Sequence, residues 1–304
     1  MQKPRLMVAA AAALTWTSCR PDLLTSGSLV TSARILAVRG DPPESMPGHA
    51  VTYRVLLADP QNPDPMAAYD WSFCVAPKPL TENDAVSVAC LSGDTSARAP
   101  IAEAAPTVTA TTPIDACQHF GPDPPPGMFR PRDPDVTGGY YQPVIVDRTP
   151  ETAIALERIL CNLALAPTDV ANAYRMGYSA NQNPKIRGLT ASIGGQAVAL
   201  ERLPPDTKID LLVEWDPSSK ESFLLFDLAS ASLVSREEAL TVSWFASSGT
   251  LDLARTGREA GDETPNAADT WTTPSATGPV LLWIVLRDDR GGVDFAAYPA
   301  TIVD

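Results

Sequence analysis

Short apolar runs with a period of two, separated by Pro, Gly and Asp turns, recur along the chain. In Ala50 to Ala58, Val51, Tyr53, Val55 and Leu57 alternate with mostly polar neighbours. That period predicts a half-buried strand, because successive side chains on a strand point to opposite faces. Ala33 to Arg39 and Tyr69 to Val75 read the same way. The turns between them are Asp41-Pro42-Pro43, Pro47-Gly48 and the Asp59 to Pro65 loop. Further strands are predicted at Lys208 to Trp215, Ser222 to Leu228, Leu240 to Phe245, Thr250 to Asp252 and Val293 to Ile302. Val280 to Leu286 is apolar on both faces, the pattern of a central strand covered on both sides. Many short strands at close spacing predict a mainly β chain built of β-sandwiches.

Two stretches break this rhythm. From about residue 117 to 149 the chain is rich in Pro and Gly, including Gly121-Pro122-Asp123-Pro124-Pro125-Pro126-Gly127, which cannot continue a sheet ladder. Thr149-Pro150-Glu151 then carries the residues of a helix start, and Ile154, Leu156, Ile159, Leu160 and Leu163 make an apolar stripe. A second short helix is predicted at Asp169 to Met176. Arg255 to Thr270 reads as a polar loop. The expected organisation is a sandwich over residues 32–149, a helical connector over 150–180, and a second sandwich over 181–304. Trp71 and Cys74 fall on opposite faces of their strand, since an odd number of steps separates them.

The N-terminus adds a compartment. Lys3 and Arg5 precede the apolar run Leu6 to Leu14, the length of a signal-peptide core and about half that of a spanning helix. Thr15-Trp16-Thr17-Ser18-Cys19 follows and resembles the lipobox of bacterial lipoproteins, although Trp16 stands where leucine is usual. The resemblance implies a signal peptide over 1–18, a lipid (palmitate among its chains) on Cys19, and a flexible tether over 19–31. It further implies an outer-membrane destination, since Arg20 rather than aspartate follows the cysteine. The other four cysteines, Cys74, Cys90, Cys117 and Cys161, are an even number in an exported chain, so disulfides are expected. Three pairings are open; shorter loops favour Cys74 with Cys90 and Cys117 with Cys161. All four precede residue 162, so the C-terminal half must hold together by packing alone.

Composition then removes whole classes of function. The chain carries 23 basic and 36 acidic residues, and losing Lys3 and Arg5 with the signal makes the balance 21 − 36 = −15. Such a field repels nucleic acid. Thirty prolines argue against a helical bundle, and two histidines, His49 and His119, leave little for a histidine-based metal or catalytic site.

Two segments near the C-terminus carry a second resemblance. Val242-Ser243-Trp244-Phe245-Ala246-Ser247-Ser248-Gly249 is similar to the tryptophan strand and glycine turn of PKD-type immunoglobulin-like domains. Val285-Leu286-Arg287-Asp288-Asp289-Arg290-Gly291-Gly292-Val293 is similar to their final hairpin. Taken whole, the chain resembles bacterial outer-membrane lipoproteins with two immunoglobulin-like domains. That resemblance implies roles in binding, adhesion or spacing, and no catalytic residues or cofactor.

Candidate chemistry is thin. No GxSxG, HExxH, P-loop or GxGxxG stretch occurs. Asp288, Asp289 and Asp294, clustered about a glycine turn, are candidate calcium ligands, because hard oxygens suit that ion. They also fit a charged, exposed hairpin. Asp123, Asp133 and Asp135 are scattered between prolines. Trp271, in the polar Asp269-Thr270-Trp271-Thr272 segment, and Tyr140 and Tyr141, beside two glycines, are candidate binding aromatics. The expected function is a non-enzymatic, lipid-anchored envelope protein that binds a protein or glycan partner. The alternatives are a structural subunit of an envelope complex and a secreted hydrolase using carboxylates.

Overall fold

The computed structural model describes residues 27–65, 67–77, 82, 86–122, 139–163 and 166–304. Residues 1–18, Cys19 and the first part of the expected tether lie outside them, as do Asp123, Asp133 and Asp135.

The first sandwich comprises β1 (Arg34–Asp41), β2 (Glu44–Ser45), β3 (Ala50–Ala58), β4 (Asp70–Cys74), β5 (Arg98–Ile101), β6 (Thr107–Thr111), β7 (Gly139–Arg148) and β8 (Glu151–Leu160). One sheet runs β1-β3-β6 and the other β2-β8-β7-β4-β5, with only the two-residue β2 parallel to its neighbour. Between the sheets pack Val51, Tyr53, Trp71, Phe73, Val144 and Val146. Trp71 faces this core while Cys74 faces out, closing a disulfide to Cys90. The second disulfide joins Cys117, on the short helix Ala116–Phe120, to Cys161 just beyond β8.

The second sandwich comprises β9 (Ile186–Ile193), β10 (Gln196–Val198), β11 (Lys208–Trp215), β12 (Ser222–Asp227), β13 (Ser232–Glu237), β14 (Leu240–Ala246), β15 (Thr250–Leu251), β16 (Arg255–Arg258), β17 (Asn266–Thr272), β18 (Gly278–Asp288) and β19 (Val293–Ile302). Its sheets run β10-β9-β11-β17-β15 and β16-β14-β18-β19, all antiparallel. Between them lies a core that includes Trp215, Trp244 and Trp271. The β12–β13 hairpin stands apart and packs on the helix Thr168–Gly177 through Leu224, Phe226, Leu233 and Tyr174. The chain is thus mainly β, two immunoglobulin-like sandwiches with a short helix between them.

Three expectations need correction. The segment from Thr149 to Leu163 is not a helix. Glu151–Leu160 pairs residue by residue with β7 across a two-residue Thr149-Pro150 turn. Ala153, Ala155 and Glu157 face inward, while Ile154 and Leu156 face outward. The helix-favouring residues are overridden because the open edge of β7 supplies a full ladder of hydrogen bonds. The polar stretch Arg255 to Thr270 contains β16 and most of β17, whose outward residues made it look like a loop. Finally, the end of the expected tether is docked. Val30 is fully buried, and its N–H donates to the Ala246 carbonyl at 2.8 Å.

Candidate functional site

The second face of β18 shows how the two sandwiches meet. Val280, Leu282, Ile284 and Leu286 face the core of their own sandwich. Leu281, Trp283 and Val285 face the other way, onto Ala37 of β1 and Leu56 and Ala58 of β3. The strand is buried on both sides because a whole domain covers its outer face. Trp283 is 2% exposed, so this seam is as dry as a domain core. Arg54 lies over the Phe295 ring at 5.2 Å and extends the contact.

Beside the seam lies a buried polar network drawn from both sandwiches and the segment between them. Arg290 is 1% exposed; its Nε donates to Glu238 at 2.5 Å and its Nη2 to Glu221 at 2.9 Å. Glu44 on β2 pairs with Arg158 on β8 at 3.2 Å, and accepts from the Tyr178 hydroxyl and the Asn181 N–H. Asn183 ties the two bodies directly. Its amide donates to the Gly40 carbonyl at 2.7 Å, while its oxygen accepts from the Val293 N–H at 2.8 Å. Burial pushes the Glu238 carboxyl up to about 7, with nearby Asp288 adding to the effect and Arg290 opposing it. Removing one member of such a buried pair leaves an uncompensated charge, so these contacts fix geometry more than they add net stability.

The candidate calcium ligands belong to this joint. Asp288 is buried and accepts from the Arg290 and Gly292 N–H groups at 2.9 and 2.7 Å, and from the Asn181 amide. Desolvation raises its pKa. A side chain at position 292 would collide with the Asp288 carboxylate, and Gly291 has φ +107°, so both glycines of the hairpin are required by its shape. Asp294 accepts from Arg39 at 2.6 Å and from the Ile186 N–H at 2.8 Å. Asp289 is exposed and turns toward Arg236. The three carboxylates therefore do not converge, and among the described residues no group of three or more acidic, histidine or cysteine side chains could hold a metal ion.

The aromatic candidates separate too. Trp271 is fully buried; its indole N–H donates to the Ser248 carbonyl at 3.0 Å, so this candidate binding aromatic is a core anchor. Tyr140 is buried against Ala116 and Ile159. Tyr141 is half-buried and lines a groove. His119 pairs with Asp115 at 3.1 Å, and His49 sits in a turn closed by Thr112.

That groove, about 480 Å³, opens between the sandwiches and enters the first one between β1 and β8. Its mouth carries Tyr141, Ile154, Leu156 and the β18–β19 turn. Its floor carries Tyr53 and Glu157, which are 1% and 3% exposed. Among the described residues, the Tyr53 hydroxyl and Glu157 Oε1 have no hydrogen-bond partner. Burial pushes the Glu157 carboxyl up to about 8; a Ser45 hydrogen bond opposes the shift and the charge of Glu44 adds to it. Sequence reasoning missed Glu44, Glu157, Arg158, Glu238 and Arg290. Their only local signal is a charged residue at an inward or covered position of a strand or turn.

No protein-family model matches the chain, and no curated protein matches it by sequence. Solved structures with some similarity include the Yersinia pseudotuberculosis adhesin InvE, at 12% identity and TM-score 0.22, over 92% of this chain and 61% of that one. A chimeric titin Z1Z2-Z1Z2 tandem aligns at 10% identity and TM-score 0.28, over 90% of this chain and 100% of that one. A superoxide reductase (neelaredoxin) from Ignicoccus hospitalis aligns at 13% identity and TM-score 0.25, over 45% of this chain and 93% of that one.

Proposed function

We propose that this chain is a non-enzymatic binding protein of the bacterial cell envelope, held to the outer membrane by lipid on Cys19, that engages a protein or glycan partner. The observation that carries the reading is the joint. An apolar seam and the polar contacts of Asn183 and of Arg39 with Asp294 hold the two immunoglobulin-like sandwiches in one orientation, so loops on both are presented as a single fixed surface. Preorganisation of that kind favours recognition, because little freedom is lost on binding. Two disulfides support an oxidising compartment. The acids that face the groove fit structural roles better than a hydrolytic pair: Asp288 is occupied by three donors, and Glu157 is held toward its neutral form.

The test is mass spectrometry of the protein recovered from the membranes of a Gram-negative host, with peptides mapped without reduction. The expected result is a mature chain beginning at an acylated Cys19, with cystine peptides Cys74–Cys90 and Cys117–Cys161. A soluble chain that retains Met1 and carries four free thiols would overturn the assignment. Mild detergent extraction separates the rival reading of a structural subunit, which would come out in a stoichiometric complex.

A further inference from the structure

The slot between β1 and β8 has a defined outline. At one end the Ile35 N–H donates to the Glu151 carboxylate at 2.9 and 3.0 Å. At the other, Glu44 and Ser45 of β2 pair with Arg158 and Ile159 of β8. Between these ties no ladder joins β1 to β8 among the described residues, and Ile35, Val38, Ala153 and Ala155 make aliphatic walls. The strands come within 8 Å of each other, Cα to Cα. An inserted strand would need about 9.5 Å between its two neighbours, so the slot suits a narrow stem and not a peptide backbone.

The polar floor selects what that stem carries. Glu157 Oε1 and the Tyr53 hydroxyl are buried, unpartnered and close enough for the Glu157 charge to raise the tyrosine's pKa, after burial itself. An unmet pair of this kind is costly unless a ligand or water fills it. The charged and titratable groups around Glu157 are mostly acidic. Glu44 on β2 adds negative charge, while the guanidinium of Arg158 on β8 itself is held by Glu44. On the facing hairpin, Asp288 and Asp289 line the mouth together with Arg287, whose Nη2 donates to the Leu36 carbonyl at 3.3 Å. An anion would meet the Glu157 carboxyl and the nearby charge of Glu44 unfavourably. A cation at the floor would compensate Glu157, while Arg287 at the mouth, with Arg236 beside Asp289, favours a ligand charged at one end only.

We propose that the slot binds a primary alkylammonium, its head between the Glu157 carboxylate and the Tyr53 hydroxyl and its aliphatic stem between β1 and β8. The ligand is a free monoamine or the side chain of a lysine on a partner. This site goes beyond the envelope-anchored reading and does not depend on it. Seating the cation ionises Glu157, so the carboxyl proton leaves to solvent as the ammonium enters.

Titration calorimetry of the intact protein with n-pentylamine, in buffers of different ionisation enthalpy, reads this proton directly. The expected result near neutral pH is saturable binding with release of about one proton, and an affinity that rises about tenfold per pH unit before levelling off above pH 8. n-Pentanol, with the same stem and no charge, is expected to bind at least tenfold more weakly, by about 1.4 kcal/mol. Glu157→Gln should abolish the proton release and most of the affinity, and Tyr53→Phe should weaken binding while keeping the release. An acetylated Gly-Gly-Lys-Gly-Gly amide distinguishes the sources: tighter binding than pentylamine assigns the site to a lysine side chain, weaker binding to a free amine. Absence of pentylamine binding, equal binding of pentanol, or binding without proton release would overturn the proposal and leave Tyr53 and Glu157 to a buried water. The pentanol and proton-release arms use the unaltered protein, so they hold even if a variant fails to fold.

Discussion

The two sandwiches share an architecture and differ in what holds them together. The second one has no cysteine and relies on a core in which three tryptophans, Trp215, Trp244 and Trp271, are at most 2% exposed. The first has a smaller core, two disulfides and an unzipped slot between β1 and β8. Large aromatic burial and covalent links answer the same problem, the conformational entropy of the unfolded chain. Both leave a few buried polar atoms without partners among the described residues, Tyr53 and Glu157 in the first and Asp269 in the second, but only in the first do two of them share a groove. The difference teaches that the second sandwich is the more self-sufficient packing unit, while the first carries the candidate chemistry and leans on its neighbour through the seam.

The largest effects are expected from opening the buried polar network of the second sandwich and the seam it shares with the first. Arg290→Met should destabilise the protein by about 3–5 kcal/mol, because Glu238 is left buried and unpaired. Adding Glu238→Leu should recover much of that loss in chemical denaturation, since the desolvated charge goes with it. Trp283→Ala empties the seam without touching either sandwich core. It should cost about 3–5 kcal/mol and split a single calorimetric transition into two, the second sandwich melting last. One unsplit transition in the variant would show that the seam does not couple the domains.

Removing the Cys74–Cys90 link by replacing both residues with alanine should cost about 2–4 kcal/mol. Hydrogen exchange should place the loosening in β4, β5 and β7, with β14 and β18 unchanged. The last expected effect is with pH. Glu157, Glu238 and Asp269 all have pKa values raised mainly by burial, to about 8, 7 and 6. A carboxyl with a raised folded-state pKa binds its proton more tightly when folded, so the stability it confers is complete below the unfolded value. That stability is then lost as pH rises through the folded one. Unfolding free energy should therefore fall steadily from pH 5 to pH 8.5, and Glu157→Gln should flatten the upper part of that slope. A stability that climbs over this window would contradict the burial of these acids.

Much of this was legible from residues alone, and the exceptions share a cause. Ala50–Ala58 and Lys208–Trp215 form strands with the predicted ends, because alternation and flanking turn residues are local signals. The doubly apolar run in β18 was read as covered on both sides, but what covers it is another domain, which periodicity does not reveal. Glu151–Leu160 carries residues that suit a helix and became a strand because β7 needed a partner. Trp271 looked exposed among polar neighbours, yet alternation across β17 turns it inward while Thr270 and Thr272 are only half-buried. The Asp-x-x-Gly-Gly turn was visible as a motif; its carboxylate serves backbone N–H groups and an interdomain amide.

The sequence by itself determined the β class, most strand positions, the preference for two short-loop disulfides and the poverty of reactive motifs. Each follows from spacing along the chain and from the conformational limits of Pro and Gly. Only tertiary structure decided that Asp294 and Asn183 clamp two domains together, that Trp271 is core, and that Glu157 and Tyr53 share one floor. Burial and charge compensation are set by residues more than a hundred positions away, such as Gly40 against Asn183 and Arg39 against Asp294. No local pattern encodes contacts of that range, because they depend on which faces remain uncovered once every strand has found its partner.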